Sequence, residues 1–310
     1  MKAKFGGVQN LTSTAYQTVR VQGDIGDYFA LLKPRVMTLV VFTGFSGLAI
    51  APGQIHPLLA AVGIFCIALA SGAAGAINMW FDRDIDAVME RTRNRPLPMG
   101  RVEPAEALAF GVILSVFAVM MMFLATNAVA AGLLATAVLF YVFVYTVWLK
   151  RRTSQNIVIG GAAGAFPPTI GWAAATGDVG VEAVILFALI FFWTPPHFWA
   201  LALYRSQDYA AAGVPMLPVV RGARVTQWHM LGYTVILLPL ALMPCAFGLA
   251  SWMFYGTIAG ILSGLFILSA LSVLKDATDR SAKRMFRFSI FYLFALFAFL
   301  VADDALALVV

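Results

Sequence analysis

Long, almost uncharged apolar runs recur along this 310-residue chain, and no other feature limits its fold so tightly. They fall at roughly 36–53, 57–80, 105–125, 128–148, 157–175, 181–203, 229–249, 252–274 and 288–307. Each approaches the ~20 residues that an α-helix needs to cross the hydrocarbon core of a bilayer. In lipid every backbone N–H and C=O must be satisfied internally, which leaves only helices or a closed β-barrel. The period-two alternation of a membrane barrel is missing, so the runs predict helices. With 61% hydrophobic and 12% charged residues, an ordinary soluble domain is excluded. The expected architecture is all-α and integral to the membrane: a bundle of about nine transmembrane helices forming one polytopic domain over 31–310.

Residues 1–30 are polar and read as a flexible segment. Within 27–35, "DYFALLKPR" has the amphipathic character of a short interfacial helix leading into the first span. No apolar stretch precedes a small-residue cleavage site, so a secretory signal is not expected, and no Arg/Ser-rich presequence is seen. That leans toward a bacterial inner membrane. Cys66 and Cys245 lie in separate spans without metal-clip spacing, which predicts core packing rather than a disulfide.

Basic residues set the orientation. All 21 Lys and Arg fall in the N-terminal segment or the loops after spans two, four, six and eight. The opposite side carries Asp178, Glu182, Asp303 and Asp304. The positive-inside rule then puts the N-terminus in the cytoplasm and, after nine spans, the C-terminus outside. The net charge of +6 reflects topology and anionic headgroups, and no nucleic-acid partner is implied. Two loops on the basic side, 82–104 and 204–228, are long and chemically loaded. Each has an Asp just past its span and ends at a proline stop, "RPLP" and "MLP", which hints at an internal repeat.

The first of these loops belongs to Asn78–Arg101, where four carboxylates and five arginines are concentrated. Positions 78, 82 and 86 are four apart, so a helix continued past Trp80 stacks Asn78, Asp82 and Asp86 on one face. Hard oxygen ligands in that arrangement suit Mg²⁺, which keeps waters and shares itself with a phosphate. Asp84 points elsewhere and reads as solvated or Arg-paired. Arg91, Arg93, Arg95 and Arg101 follow, and guanidinium forks match phosphate oxygens. Acids for a metal beside arginines for an anion describe a metal–diphosphate site. The bland alternative is a juxtamembrane loop whose charges pair with one another and with lipid.

The stretch "NMWFDRDIDAVMERTRNRPLPMGR" resembles the first aspartate-rich motif of the UbiA superfamily of intramembrane prenyltransferases. "LLKPRVMTLVVFTGFSGL" (31–48), "GAFPPTIGWAA" (164–174) and "FFWTPPHFWALALYRSQDYAAAGVPMLPVV" (191–220) resemble its heme-farnesylating branch, the heme O synthases. Many superfamily members carry a second D-x-x-x-D after span six; here the stretch offers Tyr204-x-x-x-Asp208 with Arg205 between. That leaves the number of metal ions at the second loop open.

The resemblance implies transfer of a farnesyl group from farnesyl diphosphate to a vinyl group of heme b, with water added, giving heme O and diphosphate. It further implies Mg²⁺ as cofactor, with heme A synthase or terminal-oxidase assembly as protein partners. Asn78, Asp82, Asp86 and Asp208 are then the catalytic candidates, the first three being the metal ligands. Lys33 and Arg35 flank Pro34 at the mouth of span one and could reach the same anions. Lys150, Arg151 and Arg152 are either a second grip on diphosphate or a heme propionate, or simply a topology signal. Tyr204 and Arg205 would cap the site. His197, just after Pro195 and Pro196, is either a hydrogen-bonded structural residue or, given a heme acceptor, the group that ligates iron or orients the macrocycle. His229 is a weaker candidate. Three rivals stand: a related prenyltransferase acting on a quinone precursor or a tetrapyrrole tail; an ion-coupled transporter, which would place carboxylates near the midplane; and a structural assembly factor for a respiratory complex, which would leave the register of Asn78, Asp82 and Asp86 unexplained.

Overall fold

The computed structural model describes residues 23–276 and 278–307, and among these no strand occurs. Residues 1–22, most of the segment expected to be flexible, lie outside the described residues. The end of that segment forms α1 (Ile25–Leu31), started by Asp24, whose carboxylate accepts the Asp27 N–H. A 52° bend at Leu32–Lys33 leads into α2 (Pro34–Ala49). Lys33 has φ 54°, the single positive φ outside glycine among the described residues. At 1.5 Å per residue the 16 residues of α2 reach about 24 Å, short of a full bilayer core.

The remaining helices are α3 (Pro57–Phe81), α4 (Arg83–Val88), α5 (Pro104–Ala125), α6 (Ala128–Leu139), α7 (Asn156–Thr176), α8 (Val181–Tyr204), α9 (Ser206–Ala211), α10 (Leu217–Ala246), α11 (Thr257–Lys275) and α12 (Asp279–Ala307). α6 runs on as a π-helix over Phe140–Leu149, and another π-turn, Trp252–Gly256, leads into α11. Among the described residues eight helices are long and apolar enough to cross a membrane, or nine when the bent α1–α2 pair is counted as one span. The chain is a multi-pass membrane protein of the expected all-α class.

Two expected starts come too late. α10 begins at Leu217 rather than 229 and is broken at Gly222 (φ 79°, ψ 166°), and α12 begins at Asp279 rather than 288. Both helices project polar turns beyond their apolar stretches, where hydropathy carries no signal. The loop 204–228 is therefore mostly helical.

α7 and α8 form the centre: 61% of each apolar window is buried, against 22% for α5 and for α6 with its π-extension. α2 crosses α7 at backbone contact. A Cβ on Gly47 would lie 2.0 Å from the Pro168 carbonyl oxygen, and one on Gly171 2.0 Å from that of Gly44. Cys66 and Cys245 are buried and unpaired. A small cluster of Ile85, Met89, Tyr209, Val214 and Met216 folds the two long loops against one another at the basic end of the bundle.

Candidate active site

α3 stops at Phe81, and Asp82 joins it to α4 without breaking the hydrogen-bond ladder. The Asp82 N–H donates to the Asn78 carbonyl (2.9 Å) and the Asp86 N–H to that of Asp82 (2.8 Å). Asn78, Asp82 and Asp86 therefore keep their four-residue register. All three are buried, with 5%, 1% and 3% exposure, although charge at a membrane boundary ordinarily seeks water.

What makes that burial tolerable is a cation for each member of the stripe. Lys33 Nζ donates to Asn78 Oδ1 (2.9 Å), the Lys150 ammonium to Asp82 Oδ2, and Arg95 Nη1 to Asp86 Oδ2 (2.7 Å). Asn78 is fixed further: Nδ2 donates to Asp82 Oδ2 (2.6 Å) and to Thr146 Oγ1 (3.2 Å), so both amide hydrogens are used. Thr146 is fully buried and escaped the sequence reading. Its only signal was a hydroxyl one helical turn before Lys150 on an otherwise apolar run.

Arg151 divides its attention. Its guanidinium holds Asp84 through two 2.7 Å hydrogen bonds, lies 3.5 Å from Asp82 Oδ1, and packs over the Phe81 ring. These bonds hold the Asp84 carboxyl well below the usual range, at about 2, and raise the Arg151 guanidinium in turn. Asp84 is thus Arg-paired, away from the stripe.

The second loop supplies Tyr204, Arg205 and Asp208. Arg205 stands 3.7 Å from Asp208 Oδ2 and 3.6 Å from Glu90 Oε2, bridging the two loops. Asp82 Oδ1 and Asp208 Oδ2 are buried yet accept no hydrogen bond. Buried carboxylate oxygens are nearly always satisfied, so these two are donor atoms suited to a hard cation. Among the described residues no three His, Cys, Asp or Glu side chains converge as a protein-only metal cage. Mg²⁺ does not need one, because it takes one or two carboxylates and completes its shell with water and phosphate.

Other candidates stand apart. Arg101 donates to Asp27 Oδ1 (2.8 Å) and to the Asn94 carbonyl, tying the loop to α1. Arg35, Arg91, Arg93 and Arg152 are exposed. His197 is buried in α8 against Trp193, Phe286 and Phe198, with Nδ1 2.7 Å from Ser289 Oγ. His229 is exposed, its Nδ1 on the Val225 carbonyl (2.8 Å).

The chain is 56% identical to the protoheme IX farnesyltransferase of Gluconacetobacter diazotrophicus over 94% of its own length and 96% of the relative's. It is 59% identical to that of Acidiphilium cryptum over 90% of both chains. Among solved structures it resembles one described for digeranylgeranylglyceryl phosphate synthase, with TM-score 0.75 and 19% identity over 90% of this chain and 98% of the other. It also resembles a UbiA homologue from Archaeoglobus fulgidus bound to GPP and Mg²⁺, with TM-score 0.60 and 17% identity over 88% and 99%. The model of the UbiA prenyltransferase family matches residues 40–297, a stretch that contains the acid stripe, most of its cations and the second loop. This chain belongs to the UbiA prenyltransferase family.

Proposed function

We propose that this chain transfers the farnesyl group of farnesyl diphosphate to a vinyl group of heme b, with addition of water, giving heme O and diphosphate. The observation that carries the acceptor is the 53–59% identity to protoheme IX farnesyltransferases over nearly the whole chain. The donor half rests on geometry: a buried acid stripe with an unsatisfied carboxylate oxygen, ringed by Lys33, Arg95 and Lys150.

Asn78, Asp82 and Asp86 would hold Mg²⁺, which supplies charge neutralisation on the leaving diphosphate. Lys33, Arg95 and Lys150, with Arg91 and Arg205 nearer the surface, bind the diphosphate oxygens and stabilise the charge that grows there as the allylic C–O bond breaks. The terminal vinyl carbon bonds to farnesyl C1, and positive charge passes to the vinyl carbon on the macrocycle. Water adds there and its proton leaves with the diphosphate. The buried helices keep other water from the allylic fragment. Asp208 adds a carboxylate from the second loop. Exposed Arg93, Arg35 and Arg152 supply a wider anion-attracting field, and Arg101 holds the loop in shape.

On this reading residues 31–310 form one catalytic domain, with loops 82–104 and 204–228 on the cytoplasmic face of a bacterial inner membrane. The product would serve heme A synthase and terminal-oxidase assembly. Binding of labelled farnesyl diphosphate to the purified protein tests the donor site. It should need Mg²⁺, vanish with chelator, and be lost in Asp82→Ala but kept in Asp84→Ala. Heme extracted from cells lacking and regaining the protein tests the acceptor. Restored activity without a farnesylated heme would overturn the assignment.

A further inference from the structure

The basic residues that open α12 look, in sequence, like a topology signal alone, yet the fold stands them against the second loop. Lys283 Nζ lies 5.4 Å above the centroid of the Tyr204 ring. One turn on, Arg287 lies on the same face of α12. Among the described residues neither Lys283 nor Arg287 has a carboxylate partner, and both are exposed. This basic lip is separate from the cations that pair with the acid stripe.

Beneath the lip runs a column of rings. Phe286 meets Tyr204 edge-on (6.3 Å, 75°) and stacks on the His197 imidazole (4.7 Å, 24°). Trp193 also stacks on that imidazole (4.3 Å, 18°), which requires the opposite face, since both rings cannot share one. The sandwich fixes the plane of the imidazole, and Ser289 fixes its proton. The Ser289 hydroxyl has one hydrogen and stands 2.7 Å from the Phe286 carbonyl, which can only accept. The arrangement that uses both contacts has His197 Nδ1–H donating to Ser289 Oγ (2.7 Å). Nε2 is then a bare lone pair with no hydrogen bond to any described residue. A ring whose far nitrogen donates to an oriented acceptor is the usual preparation of a histidine that ligates a metal.

We propose that this column is the acceptor subsite: the two carboxylates of a metalloporphyrin rest on Lys283 and Arg287, and its iron takes the Nε2 lone pair of His197. The proposal rests on the heme reading above and names its site. Phe198 supports the placement. It meets His197 edge-on (5.2 Å, 86°) and packs with the cluster of Ile85, Met89 and Tyr209 beside α4. The macrocycle and the diphosphate stripe would therefore be neighbours across one aromatic layer, as bond formation between them requires.

The test uses the purified full chain in neutral-lipid nanodiscs, titrated with ferric heme b, with its dimethyl ester, and with farnesyl diphosphate plus Mg²⁺. Lys283→Ala/Arg287→Ala should weaken heme b about tenfold or more, since two charge pairs are lost. The same variant should change affinity for the uncharged ester and for farnesyl diphosphate less than about twofold. His197→Ala should remove the imidazole-ligated Soret signature while retaining farnesyl diphosphate binding. Unchanged heme affinity in the double variant, equal loss of heme and ester, or an unchanged spectrum in His197→Ala would each overturn the proposal. A wild-type protein that binds farnesyl diphosphate but no heme would instead sink the acceptor reading on which it rests.

Discussion

Changing Asp82 to asparagine removes one charge and almost no volume, so its effect isolates electrostatics. The carboxylate is 1% exposed, accepts Asn78 Nδ2 at 2.6 Å and the Lys150 ammonium, and has Arg151 3.5 Å away. Asp82→Asn leaves Lys150, whose side chain is only 16% exposed, without a counter-charge. Breaking a buried pair costs about 3–5 kcal/mol. Residual water at Lys150 and at Arg151, 34% exposed, reduces this to about 2–3 kcal/mol. Lys150→Met should cost a similar amount, since it strands the buried acid. The double variant should lose only about 2 kcal/mol, well short of the sum of the two single losses, because neither charge is then left without its partner. Equilibrium unfolding in mixed micelles reads all four corners of the cycle, with an expected coupling of about 2–4 kcal/mol. Mg²⁺-dependent binding of farnesyl diphosphate should disappear in Asp82→Asn and stay absent in the double variant. A coupling below about 0.5 kcal/mol, the size of an exposed pair, would refute the view of a buried site held together by its cations.

At the α2–α7 crossing, Gly47→Ala and Gly171→Ala must each push a carbonyl oxygen from 2.0 Å to ordinary contact. Each should lower stability by about 2–4 kcal/mol in a thermal-shift assay, while Gly164→Ala, with nothing within 4 Å, should not. Thr146→Val leaves one Asn78 amide hydrogen without its acceptor and should raise several-fold the Mg²⁺ concentration needed for half-maximal farnesyl diphosphate binding; Thr146→Ser should restore it. Arg95→Ala should weaken farnesyl diphosphate about tenfold, whereas exposed Arg93→Ala should change it less than about twofold by direct binding measurement. Asp84, lowered from its usual 3.8 to about 2 by Arg151, adds stability that is full above pH ~4 and lost as pH falls through about 2. Because that side chain is 62% exposed, the stability gap between wild type and Asp84→Asn should be only about 0.5 kcal/mol, constant from pH 8 to 5 and closing below pH ~4.

The spans and the acid stripe were legible in the linear chain because both are local. A bilayer demands runs of fixed length, and a helix puts every fourth residue on one face, so Asn78, Asp82 and Asp86 could be aligned without knowing any neighbour. Helix starts at Leu217 and Asp279 were missed because hydropathy reports where lipid begins, not where a helix begins.

What the linear chain left open was which cation meets which acid. Arg95 on Asp86, Arg101 on Asp27 and Arg151 on Asp84 look interchangeable in sequence, yet they have three separate destinations. Lys33 reaches Asn78 across 45 positions, Lys150 reaches Asp82 across 68, and Ser289 sets the His197 proton across 92. Periodicity carries information over a turn or two. Pairings at these separations are decided by how helices cross, and the crossing depends on backbones meeting at Gly47 and Gly171, where there is room for no side chain at all.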